Sequence, residues 1–310
     1  MANVQVWTGT EIKALRTAMR LSLREFAAHL GVSERNISKW EAKGSDVTPI
    51  PVNQAILDTA LRMSDPDTKA RFKGLTGGAE ISGAETIEPI GSSQVRHPLT
   101  GSSMVKVDGS IYQSGPSNTP LWVPSYYIDI YLVSNADYAQ FVAATGHQPP
   151  QHWENGTFPK ELANHPVVWV TWKDAAAYAK WAGKTLPTAQ QWEKAARGTR
   201  GATYPWGDQP TPAKCNVREN GVGTTTAVDC YQSGTSPYGV YDMCGNVWEW
   251  LDTQSTPGRR ELKGGAWTSQ FDRAVPSQFN DANETMCDDD TGFRCAAPAE
   301  DLERLLHGTG

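Results

Sequence analysis

The sequence has no long apolar segment. A membrane-spanning helix needs about 18 or more consecutive apolar residues, and no such stretch occurs here. No apolar run follows a basic start at the N-terminus, as it would in a secretory signal peptide. We therefore expect a cytoplasmic protein that makes no membrane contact.

The sequence also lacks paired metal-binding residues of the soft type. No two of its five cysteines form a Cys-x-x-Cys pair, which disfavours a zinc-thiolate site. Its six histidines are scattered and form no His-x-x-x-His motif. An odd number of cysteines in a cytoplasmic chain predicts reduced thiols that serve as small packing residues. The cysteines are Cys215, Cys230, Cys244, Cys287 and Cys295.

Charge and aromatic residues are distributed unevenly. Residues 1–75 carry a net charge of +3 and the remainder carries −9, so a mildly basic head precedes an acidic body. This asymmetry is expected when only the head contacts a polyanion. Most of the 12 tryptophans lie in the body, which predicts a loop-rich domain packed by large rings.

The head shows helix start and stop signals in close succession. Apolar spacing predicts a first helix with Thr10 as its N-cap. Ser22 precedes a second helix, LREFAAHL, which ends at Gly31, and Ser33 precedes a third, ERNISKWEAK, which ends at Gly44. Two short helices joined by a Gly-Val-Ser turn indicate helix-turn-helix geometry.

From about residue 8 to residue 75 the head resembles the Cro/repressor-type helix-turn-helix family. In such proteins the start of the second motif helix approaches base edges in the major groove. Arg35 is suited to guanine and Asn36 to adenine, while Arg24, Lys39 and Lys43 are suited to phosphates. Because one unit reads few base pairs, we expect a homodimer on double-stranded DNA. The predicted DNA-binding residues are Arg24, Ser33, Arg35, Asn36, Ser38, Lys39 and Lys43.

Composition divides the rest of the chain. Two proline-started helices, residues 51–63 and 66–75, would complete a helical domain of residues 1–75. Residues 76–103 are rich in Gly, Ser and Glu and predict a flexible linker. A second domain would follow over residues 104–298, with residues 299–310 as a C-terminal tail. A segment containing VVWVTW predicts a strand followed by helices capped near Thr171 and Thr188.

Three motifs mark the second domain: SPYGVYDMCGNVWEW at residues 236–250, LKGGAW at 262–267 and GFRC at 292–295. In this order they resemble the signature of the formylglycine-generating enzyme family, also called the sulfatase-modifying-factor family. The resemblance implies an α+β, loop-rich variant of the C-type lectin fold. The expected fold class is thus two-domain, with an all-α head joined to a C-type-lectin-like body.

The reactive residues of that family are missing. Members that oxidise a substrate cysteine use two cysteines five positions apart after the KGG turn. Counting from Lys263, these positions hold Ala274 and Phe279. The resemblance therefore implies a catalytically inactive domain, with neither copper nor iron expected.

The resemblance also implies structural calcium. At the matching positions, one site would use the side chains of Asp242 and Glu249 with the carbonyls of Gly245 and Val247. A second, weaker site would use Asn216, the Val217 carbonyl, Asn220 and the Val222 carbonyl, with Asn220 where the family usually has an aspartate. The alternative is that Asp242 and Glu249 simply hydrogen-bond loop amides.

A polar groove over residues 267–290 is the predicted place for a small-molecule or protein ligand, through Trp267, Phe271, Phe279 and Asp288. The preferred function is a sequence-specific transcriptional regulator whose inactive body binds that ligand or partner. One alternative is an oxidoreductase of the same family that uses groups other than cysteine. Another is a lectin-type binder with a variable segment.

Overall fold

The computed structural model describes residue 4, residues 6–76 and residues 94–307, and it divides into an N-terminal and a C-terminal unit. Within these residues no helix combines the length and apolar character that crossing a bilayer requires. The predicted linker falls on residues 77–93 for the most part, which lie outside the described residues.

In the described part of the N-terminal unit, all regular secondary structure is helical. Its second and third helices begin and end where the caps predict: Ser22 and Ser33 accept backbone N–H bonds from Glu25 and Asn36, and Gly31 adopts a left-handed conformation with φ of 64°. The first helix begins earlier than predicted, because Thr8 and not Thr10 is its N-cap and forms a capping box with Glu11. The helices are α1 Gly9–Ala18, α2 Leu23–Leu30, α3 Glu34–Lys43, α4 Pro51–Met63 and α5 Pro66–Leu75.

A compact apolar core holds α3 in place. Ile37 and Trp40 of α3 are buried together with Phe26 and Leu30 of α2. Glu41, one helical turn after Ile37, accepts hydrogen bonds from the Arg16 guanidinium at 2.6 and 2.8 Å. This bidentate pair joins α1 to α3, and it raises the pKa of Arg16 chiefly through the hydrogen bonds to Glu41.

The C-terminal unit contains three small sheets. One has the order β1-β2-β5-β10, the second is the hairpin β3-β4, and the third has the order β8-β7-β6-β9. All pairs are antiparallel except β6 with β9. The strands are β1 Gln94–Arg96, β2 Ser103–Val107, β3 Ser110–Ser114, β4 Thr119–Val123, β5 Tyr126–Asp129, β6 Trp248–Thr256, β7 Arg259–Lys263, β8 Asn280–Asn283, β9 Thr291–Gly292 and β10 Ala296–Pro298.

Aromatic rings fill the core of this unit, as the tryptophan content predicts. The rings of Tyr138 and Tyr178 stack at 5.8 Å, and Phe293 meets Tyr178 edge-on at 5.3 Å. The Trp250 indole donates to the Val170 carbonyl at 3.0 Å. The longer helices of this unit are α6 Asn135–Thr145, α7 Trp172–Trp181, α8 Ala189–Arg197 and α9 Ala299–His307.

Three details differ from the sequence expectations. The strand predicted in VVWVTW is absent from the described structure, because Trp169 has a φ of 59° and breaks the extended backbone. Strand β1 pairs with β2, so residues 94–96, predicted as part of the linker, belong to the sheet of the C-terminal unit. The predicted tail instead begins with helix α9, whose Leu302 is completely buried.

Candidate functional site

The seven predicted DNA-contacting residues are all exposed, on α2, on α3 and at the Ser33 cap. The N-terminal turn of α3 presents Ser33, Arg35 and Asn36 to solvent, and all three are exposed. Ser38 and Lys39 follow and are also exposed, while Ile37 and Trp40 on either side of this pair are buried. The alternation follows from helical periodicity, since residues three apart share a face. Arg24 and Lys43 are exposed as well.

Two loops meet at the predicted cation residues. Asn216 and Gly245 form an isolated parallel bridge, and the Asn246 N–H donates to the Asn216 carbonyl at 2.8 Å. Gly245 has a φ of 82°, and a Cβ at this position would lie 2.3 Å from the Asn216 carbonyl oxygen. The close approach of the loops therefore requires glycine.

Asn246 holds the two loops together through its side chain. Its amide donates to the Asp242 carboxylate at 2.9 Å and to the Thr226 carbonyl at 3.2 Å. Its carbonyl oxygen accepts from the Thr226 N–H and from the Asn216 side chain. Both Asp242 and Asn246 adopt positive φ values, 55° and 70°.

Both predicted sites contain a buried side-chain oxygen that accepts no hydrogen bond within the described residues. Asp242 Oδ1 and Asn216 Oδ1 are buried and accept no hydrogen bond within the described structure. Burial raises the pKa of the Asp242 carboxyl to about 7, although the hydrogen bond from Asn246 opposes this. Buried acceptors without donors are costly, and a hard cation is the partner that oxygen ligands of this kind fit. Asp242 at the first predicted site and Asn216 at the second therefore each offer an oxygen of the kind that calcium binds.

Glu249 is arranged differently. Both of its carboxylate oxygens accept from the Arg294 guanidinium, at 2.7 and 2.8 Å, and both side chains are fully buried. The Gly245 carbonyl accepts from the Val247 N–H at 3.1 Å, and the Val217 carbonyl from the Asn220 N–H at 3.0 Å. The oxygens of Glu249, Gly245 and Val217 could therefore bind a cation only through lone pairs that these hydrogen bonds do not use.

The predicted groove residues differ in burial and in their contacts. Phe271 stacks on Tyr204 at 4.9 Å, and both belong to a small cluster with Ala274, whereas Phe279 is 55% exposed. Trp267 is half-buried and Asp288 is exposed. Asp288, Asp289 and Asp290 place their carboxylates within 4.8 Å of one another.

Sequence reasoning missed the roles of Arg294 and Asn246. The signal for Arg294 was its position within GFRC, since an arginine in an otherwise apolar buried segment needs a carboxylate partner. It also missed an open cavity of about 740 Å³ beside α6 and α7, lined by Phe141, His147 and Trp181 among others. There His147 Nε2 lies 2.8 Å from Asp174.

Comparison with known proteins agrees with the division of the chain into a helical N-terminal unit and a C-terminal unit. The model of the sulfatase-modifying factor enzyme 1-like domain matches residues 91–299, and a helix-turn-helix model matches residues 12–50. The chain is 30% identical over 243 residues to the inactive C-alpha-formylglycine-generating enzyme 2 of Mus musculus, covering 58% of this chain and 79% of that protein. It is 32% identical over 260 residues to the formylglycine-generating enzyme of Thermomonospora curvata, covering 59% and 85%.

A Bacillus subtilis protein, YfmG, is 33% identical over 243 residues, covering 61% of this chain and only half of its own length. Among solved structures, PvdO of Pseudomonas aeruginosa superposes with a TM-score of 0.56 at 19% identity, covering 68% of this chain and 99% of that one. At this identity the likeness shows the fold alone.

Proposed function

The chain belongs to the sulfatase-modifying-factor family through residues 91–299, and on this premise we propose that it is a sequence-specific DNA-binding regulator whose C-terminal unit binds a ligand without catalysing oxidation. The observation that carries the proposal is the exposed polar face of α3, where Arg35 and Asn36 follow the Ser33 cap. This is the position from which a helix-turn-helix reads base edges.

DNA binding is tested in two steps. Selection from random double-stranded DNA with the full-length protein first identifies an operator, and gel shifts on it then compare variants. Arg35→Ala and Asn36→Ala should each weaken binding roughly 5- to 150-fold, since a good bidentate base contact contributes about 1–3 kcal/mol. Lys73→Ala, an exposed basic residue of α5, is the matched control and should bind normally. Failure to select any sequence would overturn the proposal.

The cysteines support a non-catalytic C-terminal unit. Cys215, Cys230, Cys244 and Cys295 are buried, and only Cys287 is partly exposed. Burial raises the pKa of Cys287 and Cys295, which lowers the thiolate fraction that would react. We expect the full-length protein, supplied with Cu(I) and a cysteine-containing peptide, to consume no oxygen beyond a copper-only control. Catalytic consumption would instead favour an oxidoreductase.

Calcium at the paired loops is a further part of the proposal. At the first predicted site the Asp242 side chain would supply an oxygen, and the ion would neutralise its buried carboxylate; at the second, weaker site Asn216 would supply a side-chain oxygen. Calcium titration of chelator-treated protein should raise Tm, and Asp242→Ala should abolish the increase. Asp272→Ala, an exposed aspartate nearby in sequence, should leave it intact. A Tm that calcium does not change would exclude the ion.

Ligand binding would act on DNA through a shift in population between dimer geometries. A thermal-shift screen of the full-length protein identifies stabilising compounds. A compound bound in the groove should stabilise Trp267→Ala and Asp288→Ala less than the parent. It should also change the affinity for the operator, measured by gel shift, and the dimer content, measured by light scattering. A compound that stabilises the protein without changing DNA affinity would show that ligand binding by the C-terminal unit does not control DNA binding.

A further inference from the structure

Two of the buried thiols face each other. Cys215 and Cys244 directly precede Asn216 and Gly245, the two residues of the parallel bridge. Residues at matching positions of neighbouring strands lie about 4.8 Å apart and direct their side chains to the same face. The Cys215 and Cys244 thiols are accordingly in hydrogen-bond contact, and both residues are 1% exposed.

We propose that Cys215 and Cys244 form a redox-active dithiol, which oxidants of the hydroperoxide or azodicarboxamide class convert into an intramolecular disulfide. The separation expected at a parallel bridge lies within the roughly 4.4–6.8 Å Cα range of disulfides. Each thiol loses one proton and one electron as the S–S bond forms. The two electrons and two protons reduce a hydroperoxide to water and the corresponding alcohol, or an azo bond to a hydrazine.

The other thiols have different surroundings. The charged neighbours of Cys287 are Asp174 and Asp288, and those of Cys295 include Asp129 and Lys184. Cys215 and Cys244 share one apolar cluster with Tyr204, Val217 and Ala274, and the charged neighbours of Cys215 are Asp242 and Glu219. Burial and the neighbouring thiol raise the pKa of Cys215 well above its usual value, so oxidation at neutral pH should be slow.

The disulfide would act on the loops that meet at Gly245. It would connect the segment that carries Asn216 to the segment that carries Asp242 and Asn246, which are now joined by hydrogen bonds. Oxidation would therefore fix the distance between them. This inference is independent of whether the head binds DNA or the loops bind calcium.

The test is disulfide mapping of the full-length protein after treatment with diamide. The expected product has lost two hydrogen atoms and two titratable thiols. Trypsin cuts after Lys214 and Arg218, and chymotrypsin cuts after Tyr231 and Tyr241, so the digest separates Cys230 from Cys244. A peptide of residues 215–218 linked to one containing Cys244 is the expected result.

Variants and an unfolded control complete the test. After diamide treatment, the Cys215→Ala and Cys244→Ala variants should each keep all of their remaining thiols. The Cys287→Ala variant should still lose two titratable thiols. Tm should rise on oxidation of the parent and return with a reductant. Protein in guanidinium must oxidise under the same conditions, which shows that the reagent is active. Persistence of five thiols in the folded parent, or a crosslink between any other pair, overturns the inference.

Discussion

Arg294 donates to both carboxylate oxygens of Glu249, and its other hydrogen bonds reach three backbone carbonyls. Nη1 contacts the carbonyls of Asp129 and Ile130 at 3.3 and 3.2 Å, and Nη2 contacts that of Tyr241 at 2.8 Å. The Arg294 guanidinium thus connects three segments: the end of β5, the loop that contains Tyr241, and strand β6. Its full set of partners explains how a charge is tolerated in the interior.

Replacing Arg294 by alanine should lower the free energy of unfolding by about 3–5 kcal/mol, because Glu249 would remain buried without a partner. Urea denaturation in the presence of a chelator measures the loss. Arg304→Ala is the control: its pairs with Glu300 and Asp301 are exposed, so a change of at most about 1 kcal/mol is expected. The double replacement Glu249→Leu with Arg294→Met should recover part of the loss, and no recovery would mean that the backbone contacts dominate.

Gly245→Ala should destabilise the protein more than Gly221→Ala. Both glycines have positive φ values, 82° and 68°, so both substitutions carry the backbone cost of about 1–2 kcal/mol. Only at Gly245 would the added Cβ meet backbone, 2.3 Å from the Asn216 oxygen, whereas nothing lies within 4 Å of a Cβ at Gly221. Equal shifts in the denaturation midpoint would show that the loops can separate without cost.

The sequence predicted the locally determined features well. Ser22, Ser33, Thr171 and Thr188 cap helices as expected, because a cap bond spans only three residues. Features that depend on distant residues were not predictable in this way. The positive φ of Trp169 accompanies a hydrogen bond from its N–H to the Asp288 carbonyl, more than 100 residues later in the sequence.

The same distinction applies to the candidate sites. Helical spacing alone placed Arg35 and Asn36 on an exposed face. The Glu249–Arg294 pair joins residues 45 positions apart, and the contact between Cys215 and Cys244 depends on how two loops meet. The position of Arg294 in GFRC indicates that it needs a carboxylate, but nothing local identifies Glu249 as that carboxylate or Cys244 as the neighbour of Cys215.

Acidification should destabilise the protein through His97. This side chain is 1% exposed, and its neighbours include Lys184 and Asp129; burial and then Lys184 lower its pKa from 6.5 to about 4. Between these values the unfolded imidazole binds a proton that the folded one does not, so stability falls as the pH drops from about 7 to 4. The loss should reach roughly 1–3 kcal/mol. In His97→Asn the slope of unfolding free energy against pH should be smaller, and an unchanged slope would assign the effect to other groups.

Salt dependence should distinguish the two kinds of DNA contact on α3. Lys39 is the proposed phosphate contact, and loss of one phosphate contact reduces the slope of log K against log salt by about 0.9. Lys39→Ala should therefore weaken binding to operator and to unrelated DNA alike. Arg35→Ala should instead weaken the operator preferentially and reduce the ratio between the two, because a base contact adds specificity. Fluorescence anisotropy over a series of salt concentrations measures both quantities. If Arg35→Ala changed only the slope and Lys39→Ala only the ratio, the orientation proposed for α3 in the groove would be wrong.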